Sequence, residues 1–222
     1  MSMILNIDTA VQNASVCLSE KNHVRSIRLN DAQKDHASWL HTAIRDILVE
    51  NNLTTSGLSA VAVSAGPGSY TGLRVGMSAA KGLCYSLGLP LITLNTLKIM
   101  AASATEATTD LLCPMIDARR MEVFTAIYDR EGNECLHPTN MIVESDSFST
   151  FMEHNTISFF GNGSEKFRGI TQHPHASFSM VLTTAEHMVP LSWNCFLKRD
   201  WANLAYSEPF YTKDFHSVTK QS

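Results

Sequence analysis

Nowhere in the 222 residues do apolar side chains run together for the roughly 20 positions a membrane-crossing helix needs, so no transmembrane helix is expected. The opening MSMILNIDTA lacks the basic stretch and cleavage site of a secretory signal, and the sequence reads as that of a cytoplasmic protein. Charge is also sparse: 17% of residues are charged and the formal net charge is -4. Affinity for nucleic acid scales with the phosphates a protein neutralises, so tight non-specific RNA binding by the isolated chain is disfavoured. Any RNA would be gripped by something else. The five cysteines are far apart and form no Cys-x-x-Cys pair, which argues against a zinc ribbon or a redox couple and for reduced core thiols. Of nine histidines, His36 and His41 point to different sides of one predicted helix, and His173 and His175 stand without neighbouring acids or cysteines. No metal site is expected.

With 44% hydrophobic residues, the chain has enough apolar material for one large domain or two small lobes. Met3 to Asp8, Ala14 to Ser19 and Val24 to Leu29 read as three strands of a meander. From Asp35 to Asn51 the apolar period becomes helical, with Leu40, Ile44, Ile47 and Leu48 on one side. Leu58 to Ala65 is β-rich, Gly66 to Gly72 is a loop and Leu73 to Leu87 is helical. Gly88 and Pro90 stop that helix before a strand at Leu91 to Leu94, completing a βαβ unit. Asn95 to Ala104 is a further helix, and the polar stretch Thr105 to Asp110 marks the best lobe boundary. Strands follow at Leu111 to Ile116, Met121 to Tyr128, Glu134 to Val143 and Ile157 to Phe160, with a short helix over Ser147 to Glu153. From Gly169 to Val189 no period is legible, and no internal repeat is seen. The class is α/β, with residues 1–104 forming a first lobe that the C-terminal residues 205–222 rejoin and residues 105–204 a smaller second lobe.

The segment richest in chemistry is Gly66-Pro67-Gly68-Ser69-Tyr70-Thr71-Gly72-Leu73-Arg74. A strand running into a glycine loop and then a helix gathers backbone N–H groups and the positive end of a helix dipole, which suits an anion. Gly66, Gly68, Ser69, Thr71, Gly72 and Arg74 are therefore the candidate anion or nucleotide residues. No Gly-Lys-Ser/Thr closes the loop as a P-loop requires, no Gly-x-Ser-x-Gly surrounds Ser69, and the glycines miss the dinucleotide spacing. Equally well, the glycines permit close helix–strand packing. Asp8 and Thr9 end the first strand, where α/β proteins often place functional groups. Asp117, Arg119 and Arg120, at another strand end, combine a carboxylate with two guanidinium groups.

Taken together, ILNIDTA, the long segment AVSAGPGSYTGLRVGMSAAKGLCYSLGLPLITLNTL, the pair PMIDARRMEVFTAIYD and the closing SEPFYTK resemble the TsaB (YeaZ) family of bacterial tRNA threonylcarbamoyladenosine biosynthesis subunits. The resemblance implies the two-lobed fold of actin, Hsp70 and sugar kinases, each lobe a mixed sheet with flanking helices. It implies as partners a paralogous catalytic subunit, TsaD, and an ATPase, TsaE, in a complex that transfers a threonylcarbamoyl group to N6 of adenosine 37 of tRNAs reading codons that begin with A. The chain itself would be a noncatalytic scaffold, alone a homodimer, reaching tRNA only through the complex. No cofactor or catalytic residue of its own is expected, leaving a nucleotide at the partner interface open. Consistent with this, residues 8–13, where active members of the superfamily carry phosphate-binding glycines, contain none. No two histidines have the four-residue spacing of the catalytic paralogue's metal pair. The rival reading is a stand-alone hydrolase or peptidase using the Gly66–Gly72 loop, with a helix N-terminus to stabilise an oxyanion.

The first helix carries an expectation of its own. At ~100° per residue its apolar arc, with Trp39 and Ala43 at one edge, spans about 180°, wider than the roughly 100° one core needs. His36, Trp39, Leu40, Ala43 and Ile44, framed by Arg74, Ser78 and Lys81 of the next helix, are the expected partner interface.

Overall fold

The computed structural model describes residues 2–11, 13–30 and 36–210, and the side chain of His36 also lies outside that description. The first sheet holds β1 (Met3–Asp8), β2 (Ser15–Glu20), β3 (His23–Leu29), β4 (Ala60–Gly66) and β5 (Leu91–Asn95) in the order β3-β2-β1-β4-β5. β1 runs antiparallel to β2 and β2 to β3, while β1, β4 and β5 are parallel. Every residue of β1 and β4 is buried, as strands covered on both faces must be. Alternation sorts their side chains. Leu5, Ile7, Val61 and Val63 meet Leu40 and Ile47 of α1 (His36–Glu50) and Met77 of α2 (Tyr70–Leu87) on one face. Ile4, Ala60 and Ala62 look the other way, toward Ile99 of α3 (Thr96–Ser103).

The second sheet holds β6 (Leu111–Asp117), β7 (Glu122–Asp129), β8 (Glu134–Ile142), β9 (Ile157–Phe160) and β10 (Ala176–Phe178), in the order β10-β9-β6-β7-β8. β6, β7 and β8 are successively antiparallel; β6, β9 and β10 are parallel. This is the plan of the first sheet over again, an internal duplication of topology that the residues themselves do not display. Its core is aromatic: Phe148, Phe159 and Phe167 pack with ring centroids 4.8–5.2 Å apart beside α4 (Ser149–Met152) and α5 (Ser164–Arg168). Burying each ring fully contributes roughly 1.5–3 kcal/mol.

The return to the first lobe departs from expectation. A 3-10 turn (Ala185–Met188) and α6 (Val189–Lys198) lie on the first sheet, where Ala185, Met188 and Val189 join Ile4, Cys17 and Ile92. The chain thus returns at residue 185, not at 205. The sequence hides this because the returning turn is short and α6, with Pro190 at its start, spans ten residues without a long apolar stripe. Ala202 N then donates to Leu91 O at 2.8 Å and Phe210 N to Ala65 O at 2.6 Å, laying the chain along the first lobe. Residues 211–222 of the expected return lie outside the described residues. Between the lobes sits α3, whose Leu97, Met100 and Ala101 share an apolar cluster with Leu112, Ile116 and Tyr128 of the second sheet.

Candidate functional site

β4 ends at Gly66, whose φ of +110° only glycine adopts readily, and a cis Gly66–Pro67 bond follows. Gly66 N donates to the Thr96 hydroxyl at 3.2 Å. Ser69 is the N-cap of α2: its hydroxyl accepts from Gly72 N at 3.2 Å. The cap starts the helix at Tyr70, three residues before the expected Leu73, so Thr71 and Gly72 are in its first turn instead of in a loop.

The glycines stand where the chain leaving β1 touches the helix. A Cβ on Gly68 would lie 2.4 Å from Ala10 O, one on Gly72 2.0 Å from Thr9 O, and one on Gly76 2.3 Å from the Thr9 hydroxyl. The first two are contacts with backbone and cannot be relieved by a rotamer change. Ser69 N donates to Ala10 O at 2.8 Å, so one N–H at the helix start that an anion would use is held by the protein's own carbonyl. Gly66 and Gly72 are buried, whereas Ser69 and Thr71 are exposed.

Ser69, Tyr70 and Thr71 border a cleft of about 1160 Å³ between the lobes. Across it stand Asp117, Arg119 and Asn162. Arg119 and Arg120 have φ of +71° and +51°, winding the turn after β6 left-handed. Asp117 is held in place by Lys166, whose ammonium donates to its Oδ1 at 2.7 Å, and by Arg119 N at 2.6 Å. The Lys166 bond, foremost, keeps the Asp117 carboxyl below the usual carboxylate range. Lys166 lies 49 residues away along the chain, and nothing in the sequence pairs it with Asp117.

Asp8 is fully buried and does not border the cleft. Its Oδ1 accepts from Ala10 N at 3.0 Å, while Oδ2 has no partner among the described residues. Burial pushes its carboxyl above the usual range, opposed by hydrogen bonds from Ser64 and Ala10. No histidine borders the cleft among the described residues, and the Ser69 hydroxyl is engaged as a cap. Among the described residues, no nucleophile–base pair forms at this loop.

On the helical face, Leu40, Ala43 and Ile44, expected at a partner interface, are core residues at 0%, 5% and 6% exposure. The wide apolar arc of α1 is absorbed by its own sheet and α2. Trp39 is half-buried against the same core. Lys81 is engaged internally, donating to Ala205 O and Ser207 O at 3.3 and 2.8 Å. Arg74 and Ser78 are exposed, the Arg74 guanidinium lying 3.9 Å over the Tyr70 ring. With His41, Ile44 and Gly82 they border a groove of about 540 Å³ between α1 and α2.

Two five-stranded mixed sheets of one plan with flanking helices, facing each other across a cleft with a glycine-rich strand–helix junction on one wall, define a two-lobed α/β protein. The sequence profile of the family described as TsaD: tRNA N6-adenosine threonylcarbamoyltransferase matches residues 24–207. The chain is 28% identical to the tRNA threonylcarbamoyladenosine biosynthesis protein TsaB of Escherichia coli over 220 residues, covering 95% of this chain and 94% of that protein. It is 26% identical to the TsaB of Bacillus subtilis over 200 residues, covering 89% and 87%. YeaZ from Pseudomonas aeruginosa superposes with a TM-score of 0.79 at 24% identity, covering 95% of this chain and 100% of that one. The chain belongs to this family and, within it, to the TsaB (YeaZ) group.

Proposed function

We propose that this chain is the noncatalytic partner subunit of a cytoplasmic assembly that transfers a threonylcarbamoyl group to N6 of adenosine 37 in tRNAs reading codons that begin with A. The TsaB relatives, matched over most of their length, support the pathway. The observation that carries the scaffold role is the seating of Ala10 O on Ser69 N: the approach the glycines permit is used by the chain's own backbone. The partners in this reading are a TsaD-type catalytic subunit and a TsaE-type ATPase, with a homodimer when the chain is alone and tRNA reached through the complex. The contact face is the α1–α2 groove around His41, Arg74, Ser78 and Gly82, with Trp39 at its margin.

The test is reconstitution. With the catalytic subunit, the ATPase, tRNA and threonylcarbamoyl-AMP present, modified adenosine should appear only when this chain is added, and the chain alone should produce none. Equal modification without the chain, or turnover by the chain alone, overturns the reading.

A further inference from the structure

We infer that Thr9, Ala10 and Val11 form a strap that fixes the spacing of the two lobes. The three consecutive residues are tied to different bodies. The Thr9 hydroxyl donates to Gly72 O at 2.7 Å, and Ala10 O accepts from Ser69 N at 2.8 Å, so both are fastened to α2 of the first lobe. Asp8 stiffens the bend by accepting from Ala10 N at 3.0 Å. One residue further on, Val11 packs on the apolar cluster shared by α3 and the second sheet, and it borders the cleft with Ile116 and Phe124. Because Gly68 and Gly72 leave no space behind Thr9 and Ala10, the strap cannot slide along the helix, and Val11 sits at a fixed reach from α2. A valine side chain makes that attachment by apolar contact alone, so it yields without leaving a buried polar group unpaired. Opening the cleft then requires that Val11 leave the cluster, which also holds the contacts of α3 with the second sheet and on which Val181 packs beside it.

The experiment is hydrogen exchange read by mass spectrometry on the full chain, comparing wild type with Val11→Ser and Val11→Ile. In Val11→Ser, amides of α3 and of residues 179–184 should exchange at least about tenfold faster while those of β4 keep wild-type rates, the pattern of a local opening. Val11→Ile should restore wild-type exchange in both regions. Unchanged exchange at α3 and 179–184 in Val11→Ser, or equal acceleration of β4, overturns the strap. Should Val11→Ser fail to fold, Val11→Ala is measured in its place against the same two regions and judged by the same criteria.

Discussion

The hydroxyl of Thr9 donates to the carbonyl oxygen of Gly72 at 2.7 Å, while the carbonyl oxygen of Thr9 lies 2.0 Å from where a Cβ of Gly72 would stand. Hydrogen bond and close approach are one contact seen from its two sides. A methyl group at position 72 would force the β1 connection off α2 and break both that bond and the neighbouring Ser69–Ala10 pair.

Gly72→Ala should therefore destabilise the chain by about 3 kcal/mol or more, since an overpacked buried site whose neighbour is backbone has no cheap relaxation. Gly82→Ala is the control. It lies in the same helix, and a Cβ there would meet nothing within 4 Å. Its better helix propensity should stabilise by roughly 0.5–1 kcal/mol. Urea unfolding of both variants measures the contrast, and equal effects would show that helix propensity, not the approach, explains the glycines.

Asp8 gives stability a dependence on pH. Its carboxyl is raised in the folded state, first by burial, so the folded chain holds that proton more tightly than the unfolded chain does. The stabilisation is fully present below the unfolded carboxyl's range and is lost as pH rises through the raised folded value. Asp8→Asn keeps an acceptor for Ala10 N and never ionises. Its melting temperature should match wild type near pH 3.5 and exceed it at pH 7, by about 1 kcal/mol in stability, the scale of a buried polar atom left unsatisfied. A variant less stable than wild type at pH 7 would show that the hydrogen bonds from Ser64 and Ala10 outweigh the effect of burial.

Burial raises the Cys17 and Cys113 thiols to about 12 and Cys84 to about 11, so in the folded chain they hold almost no thiolate near pH 8. Cys135 is exposed on β8. A thiol reagent at pH 8 should modify Cys135 quickly and leave Cys17, Cys84 and Cys113 untouched until denaturant is added. Fast labelling of all three without denaturant would mean that the first or second core opens far more often than its packing implies.

Much of the fold was legible because it is written in local signals. The mainly apolar runs of β1, β4 and β6, and Gly88 with Pro90 after α2, each act within a few residues. What stayed hidden is non-local. Lys166 finds Asp117 only through the pairing of β6 with β9, and α6 reveals its side only against Ile4 and Ile92. At the loop, the glycines were visible but their purpose was not, because the atoms they make room for belong to Thr9 and Ala10, some 60 residues earlier. On α1, angular width alone made Leu40 and Ala43 look available, and only the seating of α2 shows that they are covered.

That last correction decides how the partner face must be tested. Charging Trp39 and Ala43 together would place a carboxylate in the first core at Ala43, which is 5% exposed, and the chain should unfold, saying nothing of binding. His41 and Ser78 are the better pair: both are exposed, both border the α1–α2 groove, and neither supports the core beneath. His41→Glu with Ser78→Glu puts two carboxylates into a groove whose floor at Ile44 is apolar, so a partner helix seated there must desolvate charge it cannot pair. Capture of the TsaD-type subunit should weaken at least about tenfold, or about 1.4 kcal/mol, while the melting temperature stays within a degree or two of wild type. Self-association of the free chain, followed by light scattering, should fall in parallel if copies of the chain use the same groove. Wild-type capture by a folded double variant would place the partner on another face, and the exposed edge of β3 would then be the next surface to charge.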